Sequence, residues 1–365
     1  MSTARPPSTK IVIIGAGFLA KYITKTLIAA SSRSQIFLAS RNPDKLYTDL
    51  KHLGKQISTP YTGIDITDRG QNKRLDEALE GAEVVINLVG ILYGSRPVFE
   101  AVQWKGAENV ARASQKAGAK LIHISAIGAN STSSIDYWRT KGLGEQAVLS
   151  ESPKATIIRP SLIFGPGDGF FARFATLAKY LPFLPVFGGG ASLFQPVYAG
   201  DIARAVEVVS RSRRNPEIAD LVDGKIIEAG GPKVYTYKEL MQTTLKYAEL
   251  SRPVVSVPFA LGSVQGLVME QFPENLLTVT RSQVNQLREN NIVTDPLPST
   301  HVSFAQVISS FPPLDLPSSS PPSKGIKTDQ EVLTSVEQIL PEYLGSSASS
   351  VKSGRRTHGR KGFEG

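Results

Sequence analysis

A chain of 365 residues, 41% hydrophobic and 20% charged, carries enough apolar side chain for one extended α/β domain with an appendage, which excludes global disorder. It has no cysteine, so disulfides, thiolate catalysis, iron–sulfur clusters and cysteine-bound zinc are excluded together. A formal charge of +9 suits acidic partners such as nucleotide phosphates, anionic lipid or an acidic protein surface.

The first nine residues form a leader with Arg, Ser and Thr and no acid, too short for a targeting peptide ahead of a strand that begins near Lys10. From there short apolar runs alternate with amphipathic stretches. Strands are expected over 11–14, 36–40, 61–65, 83–90, 120–126 and 155–160, and helices over 18–30, 44–53, 71–79, 99–117 and 137–149. Continuous apolar strands separated by helices predict a Rossmann-type, doubly wound parallel sheet within residues 10–160, because both sheet faces are covered. After Arg159 the chain turns rich in Gly, Pro and Phe, as expected of a small C-terminal lobe over 161–311 that is interleaved with the core. Thr236 and Glu239 predict a capping box opening a helix through Leu250, and a further helical segment is expected over 281–290. A Pro/Ser linker is expected over 312–328, a last helix from Asp329 to Tyr343 or Leu344, and a disordered basic tail over 345–365.

Several functions are disfavoured. His52, His123, His301 and His358 show no i, i+4 pairing, so no metal is expected. Five cations (Lys352, Arg355, Arg356, Arg360, Lys361) fall in the tail and no basic face interleaved with aromatics stands out, so no nucleic acid is expected. The apolar stretch over 257–272 is interrupted by Gly262, Ser263, Gln265 and Gly266, so no transmembrane segment is expected, which leaves peripheral membrane contact open.

The strongest motif is IVIIGAGFLA. Gly15 permits the tight turn, Gly17 lets backbone amides approach a pyrophosphate, and the small Ala20 lets helix pack on strand. The second strand ends in Ser40 and Arg41, where binders of NADH carry an acid for the ribose hydroxyl. Arg41 can pair with a 2′-phosphate and Ser40 can add a hydroxyl, so NADPH is expected ahead of NADH; the other reading of Arg41 is a solvated arginine at a helix start. Asp65 and Ile66 are placed either to meet the adenine or to serve as a turn Asp beside a core Ile. Tyr137 and Lys141 share a helix face, with Ser125 twelve residues before the tyrosine. The ammonium can lower the phenol pKa and hold a nicotinamide ribose, and the serine can orient a carbonyl, the combination that relays a proton during hydride transfer. Ser125, Tyr137 and Lys141 are therefore the candidate catalytic set, and Tyr-x-x-x-Lys alone is also ordinary helix surface.

Together GAGFLA, VVINLVGIL, HISAIGAN, YWRTKGLGE, ATIIRPSLIFGPGD and FQPVYAGDIARAV resemble the atypical short-chain dehydrogenase/reductases of the complex I type, over roughly residues 10–291. The resemblance implies an extended Rossmann domain with bound NADPH, and an accessory role beside respiratory complex I subunits or another mitochondrial inner-membrane assembly. It implies the matrix side of that membrane, with the cytoplasm as the alternative for a chain lacking a visible presequence. By the same resemblance Gly15, Gly17, Phe18 and Leu19 match the pyrophosphate loop, Arg41 the adenosine phosphate, and Asp65 and Ile66 the adenine edge. Leu88, Val89 and Gly90 match the loop after the fourth strand, Tyr137 and Lys141 the ribose contacts, and Pro160, Ser161 and Ile163 the strand beside the nicotinamide. Ala20 and Ala16 depart from the family's larger share of Gly, and both are small. The family's nonenzymatic members keep the Tyr/Lys pair, so three roles stay open: a structural subunit docked through the Phe- and Pro-rich stretch 170–187, an NADPH-dependent reductase, dehydratase or epimerase, and a quinone-biosynthesis accessory protein.

Overall fold

The structure, a computed structural model, describes residues 8–68, 73–260, 281–311 and 332–345. The N-terminal half runs β1 (Thr9–Ile14), α1 (Phe18–Ala30), β2 (Ser34–Ser40), α2 (Asp44–Leu50), β3 (Tyr61–Thr62), α3 (Lys73–Leu79), β4 (Val84–Asn87), α4 (Arg96–Phe99), α5 (Gly106–Lys116), β5 (Lys120–Ile124), α6 (Asp136–Glu151) and β6 (Thr156–Pro160). Next come β7 (Ile163–Phe164), α7 (Phe171–Tyr180), β8 (Leu184–Phe187), β9 (Leu193–Phe194), β10 (Val197–Tyr198), α8 (Ala199–Ser210), α9 (Pro216–Val222), β11 (Ile226–Ala229), β12 (Tyr235–Thr236), α10 (Tyr237–Tyr247), β13 (Val254–Val257) and β14 (His301–Ser303).

The expected doubly wound sheet is present, with eight strands in the order β3-β2-β1-β4-β5-β6-β11-β14 and every pairing parallel. Two of its strands, β11 and β14, come from within the interleaved residues 161–311 and were not read from the sequence. Alternation along β1 shows why the sheet is covered on both sides: Ile11 and Ile13 pack with Leu27 and Ile202, whereas Val12 and Ile14 pack with Leu75 and Val110. Each such side chain, wholly withdrawn from water, stabilises by about 1.5–3 kcal/mol. A third cluster in the lobe joins Phe164, Phe171, Tyr237 and Leu340.

The expected helix over 99–117 is three pieces: α4, a π-helical stretch Glu100–Lys105, and α5. The wider turn lies against α6, where Gly144 leaves no room for a side chain beside the Gln103 carbonyl and Gln103 Nε2 donates to Thr140 Oγ1 at 3.2 Å. The expected terminal helix is also broken. Thr334 N donates to Asp201 Oδ2 at 2.7 Å, Ser335 opens a capping box for Val336–Ile339, and Pro341 starts a separate turn, Pro341–Leu344. This strap is fixed to the lobe by Tyr343, which donates to the Asp168 carboxylate, and by Tyr235, which donates to Glu337 Oε1 at 2.7 Å. The capping box of Thr236 and Glu239 is formed, with α10 ending at Tyr247, and the segment expected over 281–290 is helical over Arg281–Gln286. The expected linker, most of the leader, the tail beyond Gly345, residues 329–331 and the start of the helix expected at 71 lie outside the described residues.

Candidate functional site

Sheet order reverses between β1 and β4, and ligands of doubly wound folds bind beyond the carboxyl ends of the strands at such a point. Gly15 turns there with φ +108°, its amide donating to the Ala39 carbonyl at 2.9 Å. A Cβ on Gly15 would lie 3.3 Å from the Leu88 Cβ, so the loops after β1 and β4 touch. Gly17 differs: it caps α1, and a Cβ added to it would meet nothing within 4 Å among the described residues. No side chain caps α1 and no acid stands in its first turn, so its leading amides face that open space as donors for an anion. Leu19 and Ala20 are buried in the core, and Phe18 lies edge-on to Tyr22 with ring centres 5.1 Å apart. The residues present therefore fit the pyrophosphate of a dinucleotide, with a protein-lined turn at Gly15 and an uncovered cradle at Gly17.

Ser40, half-buried, ends β2, and Arg41 beyond it is exposed. Across from them Asp65 forms a tight turn, its Oδ1 accepting from Thr67 N at 2.9 Å and Thr67 Oγ1 at 2.8 Å. The Thr67 amide, then its hydroxyl and the charge of Arg41, hold the Asp65 carboxyl below its ordinary value against the opposing effect of burial. Ile66 turns inward to α5, where its Cδ1 lies 2.7 Å from the position of a Cβ on Gly106. Asp65 thus makes a turn and Ile66 packs inward beneath it, with Arg41 close enough to act on Asp65.

Leu88 and Val89 pack against opposite faces of the sheet and deliver Gly90, exposed, to the crevice. Lys141, on α6, points there from below: its Nζ donates to the Ile124 carbonyl at 3.3 Å, and a Cβ on Gly90 would lie 3.1 Å from it. Burial pulls the ammonium down to about 8, offset in part by the charge of Glu145. Tyr137 packs edge-on against Trp138 at 4.6 Å and Phe99 at 6.1 Å, and burial raises its phenol. The expectation that Lys141 lowers the Tyr137 pKa is not met, since desolvation is the cause acting on the phenol. Ser125 is 4% exposed and its hydroxyl has no hydrogen-bond partner among the described residues, as befits a donor set aside for a ligand.

Pro160 ends β6 with its carbonyl accepting from Ile127 N at 3.0 Å. The Ser161 hydroxyl is already engaged, donating to the Asn291 carbonyl and lying 2.7 Å from Asn291 Oδ1. Ile163 pairs with Val197 in the β7–β10 ribbon. These three residues tie the core to the lobe beside the crevice.

Four further residues shape the site and were not singled out from the sequence. Asn87 and His123 meet beneath it at 3.1 Å, and their signal was a polar residue inside an apolar strand. Arg159 and Glu145 form an ion pair, and nothing local announces a contact between a strand end and a helix fourteen residues earlier. Among the described residues no group of three His, Asp or Glu is gathered as for a metal, and no helix is long and apolar enough to cross a membrane.

The model of the 3-beta hydroxysteroid dehydrogenase/isomerase family matches residues 11–258. Over 289 residues the chain is 30% identical to NADH dehydrogenase (ubiquinone) 1 alpha subcomplex subunit 9, mitochondrial, of Arabidopsis thaliana, covering 76% of this chain and 69% of that protein. It is also 30% identical over 234 residues to a ceramide reductase of Caulobacter vibrioides, covering 64% of this chain and 68% of the reductase. Among solved structures, a dTDP-glucose 4,6-dehydratase of Streptomyces venezuelae with NAD and TYD bound aligns with a TM-score of 0.56 at 17% identity, over 68% of this chain and 84% of that one. With the crevice and its Tyr/Lys pair in place, the chain belongs to the 3-beta hydroxysteroid dehydrogenase/isomerase family of extended short-chain dehydrogenase/reductases, as a relative of the complex I alpha subcomplex subunit 9.

Proposed function

We propose that this chain binds NADPH at the β1/β4 crevice and serves as an accessory subunit of mitochondrial respiratory complex I, on the matrix side of the inner membrane. The observation that carries the reading is the placement of Lys141: its ammonium is spent on the Ile124 carbonyl and the space before Gly90, and makes no hydrogen bond to Tyr137. Such a lysine holds a ribose better than it activates a phenol. Gly15, Gly17, Phe18 and Leu19 take the pyrophosphate, Ser40 and Arg41 the 2′-phosphate, and Asp65 and Ile66 the adenine side. Leu88, Val89, Gly90, Pro160, Ser161 and Ile163 wall the nicotinamide end. The similarity to a complex I subunit supports the partner and the compartment.

One observation favours a second reading. The Ser125 hydroxyl is buried with no partner among the described residues and lies one residue before Ala126 of the Tyr137 cluster, as suits a carbonyl-orienting donor, and one relative is a ceramide reductase. NADPH when bound supplies a hydride; Ser125 would then orient a carbonyl and Tyr137 give its oxygen a proton.

Cells lacking the wild-type chain and expressing Tyr137→Phe separate the two. The accessory reading expects normal protein level, cofactor occupancy and respiration, with complex I subunits co-purifying from gently solubilised mitochondria. Loss of function at normal level and occupancy would establish the enzyme instead. Lys141→Ala should weaken NADPH binding roughly 5- to 100-fold by calorimetry, the effect of about 1–3 kcal/mol.

A further inference from the structure

Lys141 and Glu145 stand four residues apart on α6, a spacing that ordinarily closes an ion pair across one helical turn. Here it stays open, because both carboxylate oxygens of Glu145 are taken by Arg159: Nε donates to Oε1 at 2.9 Å and Nη2 to Oε2 at 2.5 Å. The fork is almost withdrawn from water, with side-chain exposures of 16% for Arg159 and 5% for Glu145. Arg159 is held in turn, its Nη1 donating to Glu228 Oε1 at 3.3 Å while Glu228 Oε2 accepts from Thr294 N at 2.7 Å. The groups that face or flank Lys141 are Tyr137 and Glu145 on its own helix, His123 on β5 and Arg159 on β6, with Glu228 of β11 and His301 of β14 behind the arginine.

We propose that Arg159 and Glu145 are positioning residues for Lys141: the bidentate hold keeps the carboxylate from capturing the ammonium, which stays at the Ile124 carbonyl and in front of Gly90. The inference rests on the reading of Lys141 as a cofactor contact. A released Glu145 could swing one turn toward Lys141, draw the ammonium away from the crevice and raise its pKa. The mere closeness of the fixed carboxylate already opposes the effect of burial on Lys141.

The test is an NMR titration of Lys141 in the full chain, labelled with 13C at lysine Cε and assigned through Lys141→Arg, alongside calorimetry with NADPH. For the unaltered chain the midpoint is expected near 8. Arg159→Met should move it up by about one pH unit or more and weaken NADPH on the order of tenfold, and Glu145→Gln on top should abolish the rise. An unchanged midpoint in folded Arg159→Met overturns the proposal. Should that variant fail to fold, Arg159→Lys decides, since it keeps the cation and loses the fork: a raised midpoint with weaker NADPH binding supports the proposal, and an unmoved midpoint overturns it. Midpoints that shift as stated with undiminished NADPH affinity uphold the positioning role and remove Lys141 from the cofactor site.

Discussion

Asn87 and His123 are register partners on β4 and β5, and the Asn87 amide donates to His123 Nδ1 at 3.1 Å. The Asn87 oxygen accepts from Val89 N at 3.1 Å, which fixes the amide's orientation and places the imidazole proton on Nε2. Burial, with a contribution from the charge of Lys141, pulls His123 from its ordinary 6.5 to about 3. The folded state therefore binds this proton less readily than the unfolded one. Stability from a neutral His123 is complete above pH 6.5 and is lost as the pH falls toward 3, by about 1.4 kcal/mol per unit. Denaturant titrations should show His123→Gln flattening that acid limb, and an unchanged slope would count against the buried neutral state. Asn87→Ala, which strands both the imidazole and the Val89 amide, should cost about 1–3 kcal/mol.

Two glycines of one loop should respond oppositely to alanine. Gly15→Ala meets Leu88 at 3.3 Å with φ +108° and should destabilise the free protein by about 1–3 kcal/mol. Gly17, at φ −92° with nothing near its added Cβ, should tolerate alanine within about 1 kcal/mol while losing dinucleotide affinity, because the methyl group enters the cradle. Thermal melts with and without NADPH distinguish these outcomes.

Arg41 should set the choice between NADPH and NADH. Arg41→Asp removes a cation and adds an acid at the β2 end, where Asp65 is already negative, so NADPH should weaken by roughly 10- to 100-fold relative to NADH. Calorimetric titration showing equal affinities in the unaltered chain would refute the 2′-phosphate assignment.

The strap over 332–345 should be part of the folded lobe, since it buries Leu333, Val336, Ile339 and Leu340. Ending the chain at 331 should cost more than about 5 kcal/mol, at about 1.5–3 kcal/mol for each of these side chains. Ending it at 345 should leave the melting temperature nearly unchanged, and a large drop there would show that the tail docks.

Much of this molecule was legible where its signals are local. Apolar runs pointed to β1, β2, β4, β5 and β6, and the glycine turn after β1 is where the sheet order reverses, with Lys141 approaching the loop after β4. What escaped depends on partners far away in the chain. β11 and β14 are short; β11 carries Glu228 at a buried position, where a strand pattern expects an apolar residue, and β14 opens on the half-buried His301, both tolerable there because Arg159 crosses from β6 to meet them. Ser161 reads as a cofactor contact, yet its hydroxyl is committed to Asn291, which sequence spacing cannot reveal. The strap escaped as one helix because Thr334 is held by Asp201 and Pro341 interrupts the pattern.

The sheet order also bears on how the protein is made. β6 lies between β5 and β11, and β11 emerges from the ribosome only after the whole stretch from β7 through α9. At about 5–20 residues per second, the edge of β6 is exposed for several seconds, with the Ile157 amide, which in the finished sheet donates to the Lys225 carbonyl, unpaired. A nascent chain paused there is an adhesive intermediate, and slow codons placed after β11 would be safer than slow codons placed before it.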